Sequence, residues 1–139
     1  MKINAKTEYA CRALLELSMH WPMTTPLQIQ TIATHQKIPM KFLTHIMIQL
    51  KQLGLVQSIR GKMGGYILSK APKDICLKDV FAHFSEGTAG VASYAGPTGS
   101  IFSNVWQELE EIIGDKLKIL NFEVLKEQYS QTKDFNYVI

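Results

Sequence analysis

Cysteine is scarce in this 139-residue chain: only Cys11 and Cys76 are present. Two thiols cannot supply the four-cysteine sets of structural zinc or iron–sulfur sites. They allow at most one disulfide, which a reducing compartment disfavours. No apolar run approaches the ~20 residues needed to span a bilayer. The first 18 residues are interrupted by Lys6, Glu8, Arg12 and Glu16, which argues against a signal peptide and gives the cytoplasm as the expected compartment, with no membrane partner. Catalytic constellations are missing as well. No paired acids, nucleophile elbow or metal triad occurs, and Gly61-x-x-Gly64-Gly65 lacks the lysine and hydroxyl of a phosphate-binding loop and precedes no helix. An enzyme is not expected. His83 and Glu86 stand within one helical turn of each other, but two ligands make a poor metal site.

Acidic residues are scarce in one half only. Residues 1–75 hold ten Lys or Arg against three acids, a balance of +7, whereas 76–139 hold five Lys against nine acids, a balance of −4. A basic half joined to an acidic half is the footprint of a nucleic-acid-binding module attached to a module of another kind. The expected division is therefore 1–75 as a DNA-binding head, and 76–139 as a dimerisation and sensing region.

Hydrophobic periodicity fills in the elements. A first helix is expected from near Asn4 to about Met19, with Tyr9, Ala10, Ala13, Leu14 and Leu17 inward and Trp21-Pro22 ending it. Thr25-Pro26 reads as a cap and first residue of a short helix through Leu27, Ile29, Ile32 and Ala33. After a turn over 36–39, Leu43, Ile46, Met47, Leu50 and Leu53 mark the buried face of a third helix, leaving Lys41, Thr44, His45, Ile48, Gln49 and Gln52 outside. Gly54 suits the end of that helix. Val56 to Arg60 and Tyr66 to Ser69 then read as strands of a hairpin with three glycines in its loop.

Helix, turn, helix and basic hairpin make a winged helix-turn-helix: a mainly α fold with a small β wing, whose partner is double-stranded DNA. Lys41, Thr44, His45 and Gln49 lie early on the third helix, where base edges are read. Ile48 is either a packing residue or a contact to a thymine methyl. Arg60 and Lys62, with Gly61 allowing close backbone approach, suit a minor groove. Lys6 and Tyr9 begin the first helix, whose positive end suits a phosphate, although core packing serves Tyr9 equally well. A winged helix that binds another protein is the rival reading, because fold alone does not decide function.

Beyond Ala71-Pro72, Leu77, Val80, Phe81 and Phe84 mark a fourth helix, and a glycine-rich loop follows over 85–99. One long helix is expected from Ser100 to about Leu120, with Gly114 inside it. Phe102, Val105, Trp106, Leu109, Ile112, Ile113 and Leu117 form a stripe too wide for a small head to cover, so two copies should cover each other as a homodimer. Asn121 is expected to cap a short last helix through Tyr129, with no clear pattern from Ser130 onward.

The chain resembles the Rrf2 family of bacterial transcription regulators. Lys6, Tyr9 and Ala10, Ile38-Pro39 with Phe42-Leu43, Leu50, Gly54-Leu55-Val56, Arg60-Gly61 and Gly64-Gly65-Tyr66 carry the likeness in order and spacing. It implies a winged-helix head, a dimerisation helix matching 100–120, and a twofold-symmetric operator, most simply that of a repressor. Many members hold an iron–sulfur cluster on three cysteines in the loop after the fourth helix. Here the stretch from Glu86 to Ser100 contains none, so no iron–sulfur cluster and no other cofactor is expected. The signal stays open between a small-molecule effector near the glycine-rich loop, chemistry at Cys11, and no effector at all.

Overall fold

Asn4 starts the first helix with its own side chain. In the computed structural model, which describes residues 3–85 and 96–138 and side chains as far as Lys133, Asn4 Oδ1 accepts from the Thr7 N–H at 2.8 Å and from Thr7 Oγ1 at 2.7 Å. Such a cap satisfies amides that the first turn leaves open. Helix α1 (Ala5–Met19) buries Ala10, Ala13, Leu14 and Leu17 completely and forms the spine of the head.

The second helix begins later than Thr25-Pro26 suggests. Leu27 instead pairs with Tyr66, its N–H donating to the Tyr66 carbonyl at 3.0 Å and its carbonyl accepting from the Tyr66 N–H at 2.7 Å. Two backbone bonds to the hairpin hold residue 27 extended, outweighing one potential cap. Helix α2 (Ile29–Gln36) therefore starts after Gln28. The turn runs through Lys37, which adopts the left-handed conformation, and buried Ile38 to Pro39. Pro39 accepts from Phe42 and Leu43 and opens α3 (Met40–Gln52).

Leu43, Ile46, Met47 and Leu50 of α3 are buried, as their spacing requires. The helix stops because Gly54 takes φ +76, letting Gly54 N–H reach Lys51 O and Leu55 N–H reach Leu50 O, both at 3.0 Å. Strands β1 (Val56–Ile59) and β2 (Gly65–Leu68) pair antiparallel in the register Val56↔Leu68 to Ile59↔Gly65. Gly65 has to be glycine, because a Cβ there would overlap the Leu27 carbonyl. A 3-10 turn, Pro72–Asp74, leads to α4 (Leu77–Phe84). Cys76 caps α4, its N–H donating to Asp79 Oδ2 at 3.1 Å.

The long helix α5 (Gly99–Ile119) packs along α4, and α6 (Phe122–Val138) returns to α1. Asn121 Oδ1 accepts from the Val124 N–H at 2.9 Å, the expected cap. Helix α6 is longer than the short helix expected through Tyr129. From Glu127 to Lys133 its side chains are exposed, so this stretch shows no apolar period. Lys133 Nζ lies 5.0 Å from the Tyr129 ring centroid and supports one turn of it. Phe122 is fully buried among the side chains of the head, as are Val80 and nearly so Phe84, so one core runs across residue 75. Most of the expected glycine-rich loop, Glu86 included, lies outside the described residues. Among the described residues no helix is long and apolar enough to cross a membrane.

Candidate nucleic-acid interface

Burying Leu43, Ile46 and Leu50 turns the opposite side of α3 outward. Lys41, Thr44, His45, Ile48 and Gln52 are exposed and Gln49 is half-buried. The exposure of Ile48 removes it from the core and leaves it available to an apolar surface such as a thymine methyl. Thr44 Oγ1 donates to the Met40 carbonyl at 2.9 Å. Its proton is used within the helix, so Thr44 offers a methyl and acceptor lone pairs.

The wing is tied to this helix. Lys51 Nζ donates to Ser58 Oγ at 3.1 Å, which joins the end of α3 to β1. With the Leu27–Tyr66 pairing at the other strand, the hairpin is fastened on both sides. Arg60, Gly61 and Lys62 lie exposed on its tip.

Lys6, Tyr9 and Gln49 meet in one place. Together with Phe42, His83 and Phe84 they line a cleft of about 510 Å³ where the start of α1, the side of α3 and the end of α4 converge. The half-buried Tyr9 ring lies 6.4 Å from that of Phe42 and lines the cleft. The Arg12 guanidinium stands 5.8 Å from the Tyr9 centroid and bonds Glu8 at 3.0 Å. The expected residues thus fall into three groups, on the outer side of α3, on the wing tip, and around this cleft.

Two features were not visible in the sequence. Glu16 is a buried carboxylate that accepts from Gln36 Nε2 and bonds His35, pinning α1 to α2. Its partners lie about twenty positions away, and no spacing rule connects them. Phe42 stands half exposed beside Tyr9, although the helix period assigns it to neither the buried nor the outer side.

On α5 no residue is buried. Phe102, Val105, Trp106, Leu109, Ile112 and Ile113 are exposed, Phe102 to 53% and Ile112 to 57%, while Leu117 is half-buried. Phe102 and Trp106 stack on each other at 6.1 Å between centroids.

Residues 3–128 match the Rrf2 family model, described as an iron-dependent transcriptional regulator. The chain belongs to the Rrf2 family. Over 80 residues, 56% of this chain, it is 44% identical to an rrf2-like HTH-type transcriptional regulator of Rhodobacter capsulatus, spanning 53% of that protein. It is 30% identical over 122 residues to the HTH-type transcriptional regulator IscR of Vibrio atlanticus, covering 84% of this chain and 70% of IscR. The fold is that of CymR, the global cysteine regulator of B. subtilis, with a TM-score of 0.80 at 24% identity over 92% of this chain and 98% of CymR. As an Rrf2 member the chain is a DNA-binding transcription regulator and not an enzyme.

The iron dependence in the family's description finds no thiolate set here. Cys11 is half-buried, and burial, followed by the charge of Glu8, pushes its thiol up to about 12 from 9.0, away from the ligand form. Cys76 is engaged at the start of α4, where its Sγ lies 3.4 Å from Asp79 Oδ2. With no third cysteine in the chain, these residues do not fit a cluster held by thiolates.

Proposed function

We propose that this Rrf2 protein is a cytoplasmic homodimeric repressor that seats α3 in the major groove and its wing in the adjacent minor groove of a palindromic operator. The observation that carries this reading is the outward side of α3, with Lys41, Thr44 and His45, fastened to the Arg60–Lys62 tip through Lys51 and Ser58. A major groove about 12 Å wide admits one helix. His45 and Lys41 donate to base-edge acceptors, Thr44 accepts or meets a thymine methyl, and Arg60 and Lys62 meet the phosphates flanking the narrow groove. Lys6, at the positive end of α1, adds a phosphate contact.

The apolar face of α5 supports the dimer. Eight exposed large apolar side chains on one helix, Phe102, Trp106 and Ile113 among them, are a surface that a second copy covers with its own. A twofold dimer sets two copies of α3 on half-sites about one helical turn, or a multiple of it, apart. For this chain we expect neither an iron–sulfur cluster nor another bound cofactor, so anaerobically purified protein should be colourless and free of iron. An effector, if one acts, would be a small molecule, which mass spectrometry of the native protein would detect.

The deciding experiment is binding to the chain's own upstream region across a salt series. Six to ten phosphate contacts imply a loss of about 10³ to 10⁵ in affinity between 50 and 200 mM salt. Absence of a complex at low salt, or an affinity indifferent to salt, would defeat the reading.

A further inference from the structure

The wing tip carries an apolar side chain that charge does not account for. Met63 is 75% exposed, more than any other large apolar residue among those described. It lies in the tip between Ile59 and Gly65, the last paired residues of the hairpin, in a segment that also bears Arg60 and Lys62. The Gly64 N–H donates to the Gly61 carbonyl at 3.0 Å and closes the tip, and a Cβ at Gly64 would overlap the Ile59 carbonyl. The turn is therefore tight, and Met63 stands outside it on a hairpin fastened to Leu27 and Lys51.

We propose that Met63 lies on the floor of the minor groove and makes the wing select A·T base pairs beneath it. This rests on the DNA-binding reading and adds the residue that sets sequence preference under the wing. A minor groove is about 6 Å wide, which suits an unbranched side chain, and its phosphate walls suit the two cations beside it. The groove floor of an A·T pair shows acceptors alone, whereas guanine raises its 2-amino group into the groove. A thioether has no donor and accepts only weakly. Against Met63 the guanine amino group would lose water and gain no comparable partner, so discrimination arises by exclusion. Arg60 and Lys62 supply attraction without choosing a base.

The test begins with selection of binding sites from random duplexes by the full-length chain, and minor-groove footprinting to locate the base pairs under the wing. At those positions A·T, G·C and inosine–cytosine versions are compared, inosine being guanine without the 2-amino group. Wild type should bind the G·C version about tenfold more weakly than the A·T version, and inosine should restore the affinity. Met63→Ala should bring the A·T to G·C ratio to within about twofold with unchanged thermal stability. Lys62→Ala should weaken all three versions alike. The proposal is overturned if Met63→Ala keeps the wild-type ratio, or if inosine behaves as guanine in the wild type, a comparison that needs no variant. A wild-type chain that selects no sequence and binds no duplex at low salt would instead overturn the DNA reading, and this proposal with it.

Discussion

Oε1 of Glu16 lies 2.6 Å from Nδ1 of His35, and Oε2 of the same carboxylate accepts from Gln36 Nε2 at 3.0 Å. Glu16 is 3% exposed, and these bonds fix the end of α2 against α1 directly ahead of the turn into α3. Arg12 Nη1 adds a bond to the Gln36 carbonyl at 3.3 Å. Glu16→Ala removes the shared acceptor from a buried position and should cost about 1 to 3 kcal/mol in urea unfolding, with little change in m-value. His35→Ala should cost less, under about 1 kcal/mol, because removing a side chain 57% exposed opens Glu16 Oε1 to water, which takes the vacated place, while Gln36 still donates to Oε2. Equal losses for the two variants would mean that Glu16 is not the centre of the joint.

Ile113 occupies the uncovered face of α5 and is 38% exposed. Ile113→Glu sets a charge among Leu109, Ile112 and Leu117, where a second copy is expected to pack. Sedimentation at micromolar concentration should change from dimer to monomer, while the head, which buries no residue of α5, keeps its fold. An unchanged mass would contradict the dimer.

One residue further, Gly114 lies within the same helix, and a Cβ built there meets nothing within 4 Å. Gly114→Ala should stabilise the protein by about 1 kcal/mol, read as a higher melting temperature. Destabilisation would indicate that a partner's backbone approaches the helix at this point.

Much of this architecture was readable from residue order because its causes are local. Asn4, Gly54 and Asn121 act on amides or carbonyls a few positions away, and the period of Leu43 to Leu50 declares the buried side of α3. The late start of α2 and the full length of α6 were not readable, for opposite reasons. Leu27 obeys a strand that arrives almost forty residues later, and residues 127–133 of α6 are exposed and print no apolar period. For the interface, residue types and helix phase placed Lys41, Thr44 and His45 outside. The convergence of Lys6, Tyr9 and Gln49 on one cleft depends on how three helices pack, which phase alone does not contain.

Cys11 gives the fold a pH dependence with a defined sign. Its thiol is raised to about 12, so the native state holds the proton more tightly than the unfolded chain, whose value is 9.0. The stability from this group is complete below pH 9 and drains away as pH rises towards 12. Relative to Cys11→Ala, the wild type should hold a constant stability difference up to that point and lose ground above it. Burial keeps the Cys11 thiol protonated at pH 8, so iodoacetamide should label it far more slowly in native protein than in urea. Mass spectrometry of the modified peptide reads both rates, and rapid native labelling would restore Cys11 as a reactive thiol.

Arg60 and the pair Thr44 and His45 should separate anchoring from base reading. Arg60 is exposed on a hairpin tip, so Arg60→Ala should leave the melting temperature unchanged. If its guanidinium meets a phosphate, the variant's log–log salt slope should become shallower by about one unit, on operator and random DNA alike. Thr44→Ala and His45→Ala alter an exposed side of α3 that keeps Lys41 and Lys51, so non-specific binding should barely move. On the operator each should cost about 1 to 3 kcal/mol, the scale of a lost base-edge contact. The Thr44 loss should concentrate at base pairs offering a thymine methyl or an exocyclic amine, since its proton already belongs to Met40. Fluorescence anisotropy with both duplexes at several salt concentrations separates the two behaviours. Equal losses on both duplexes for all three variants would move the reading surface off α3.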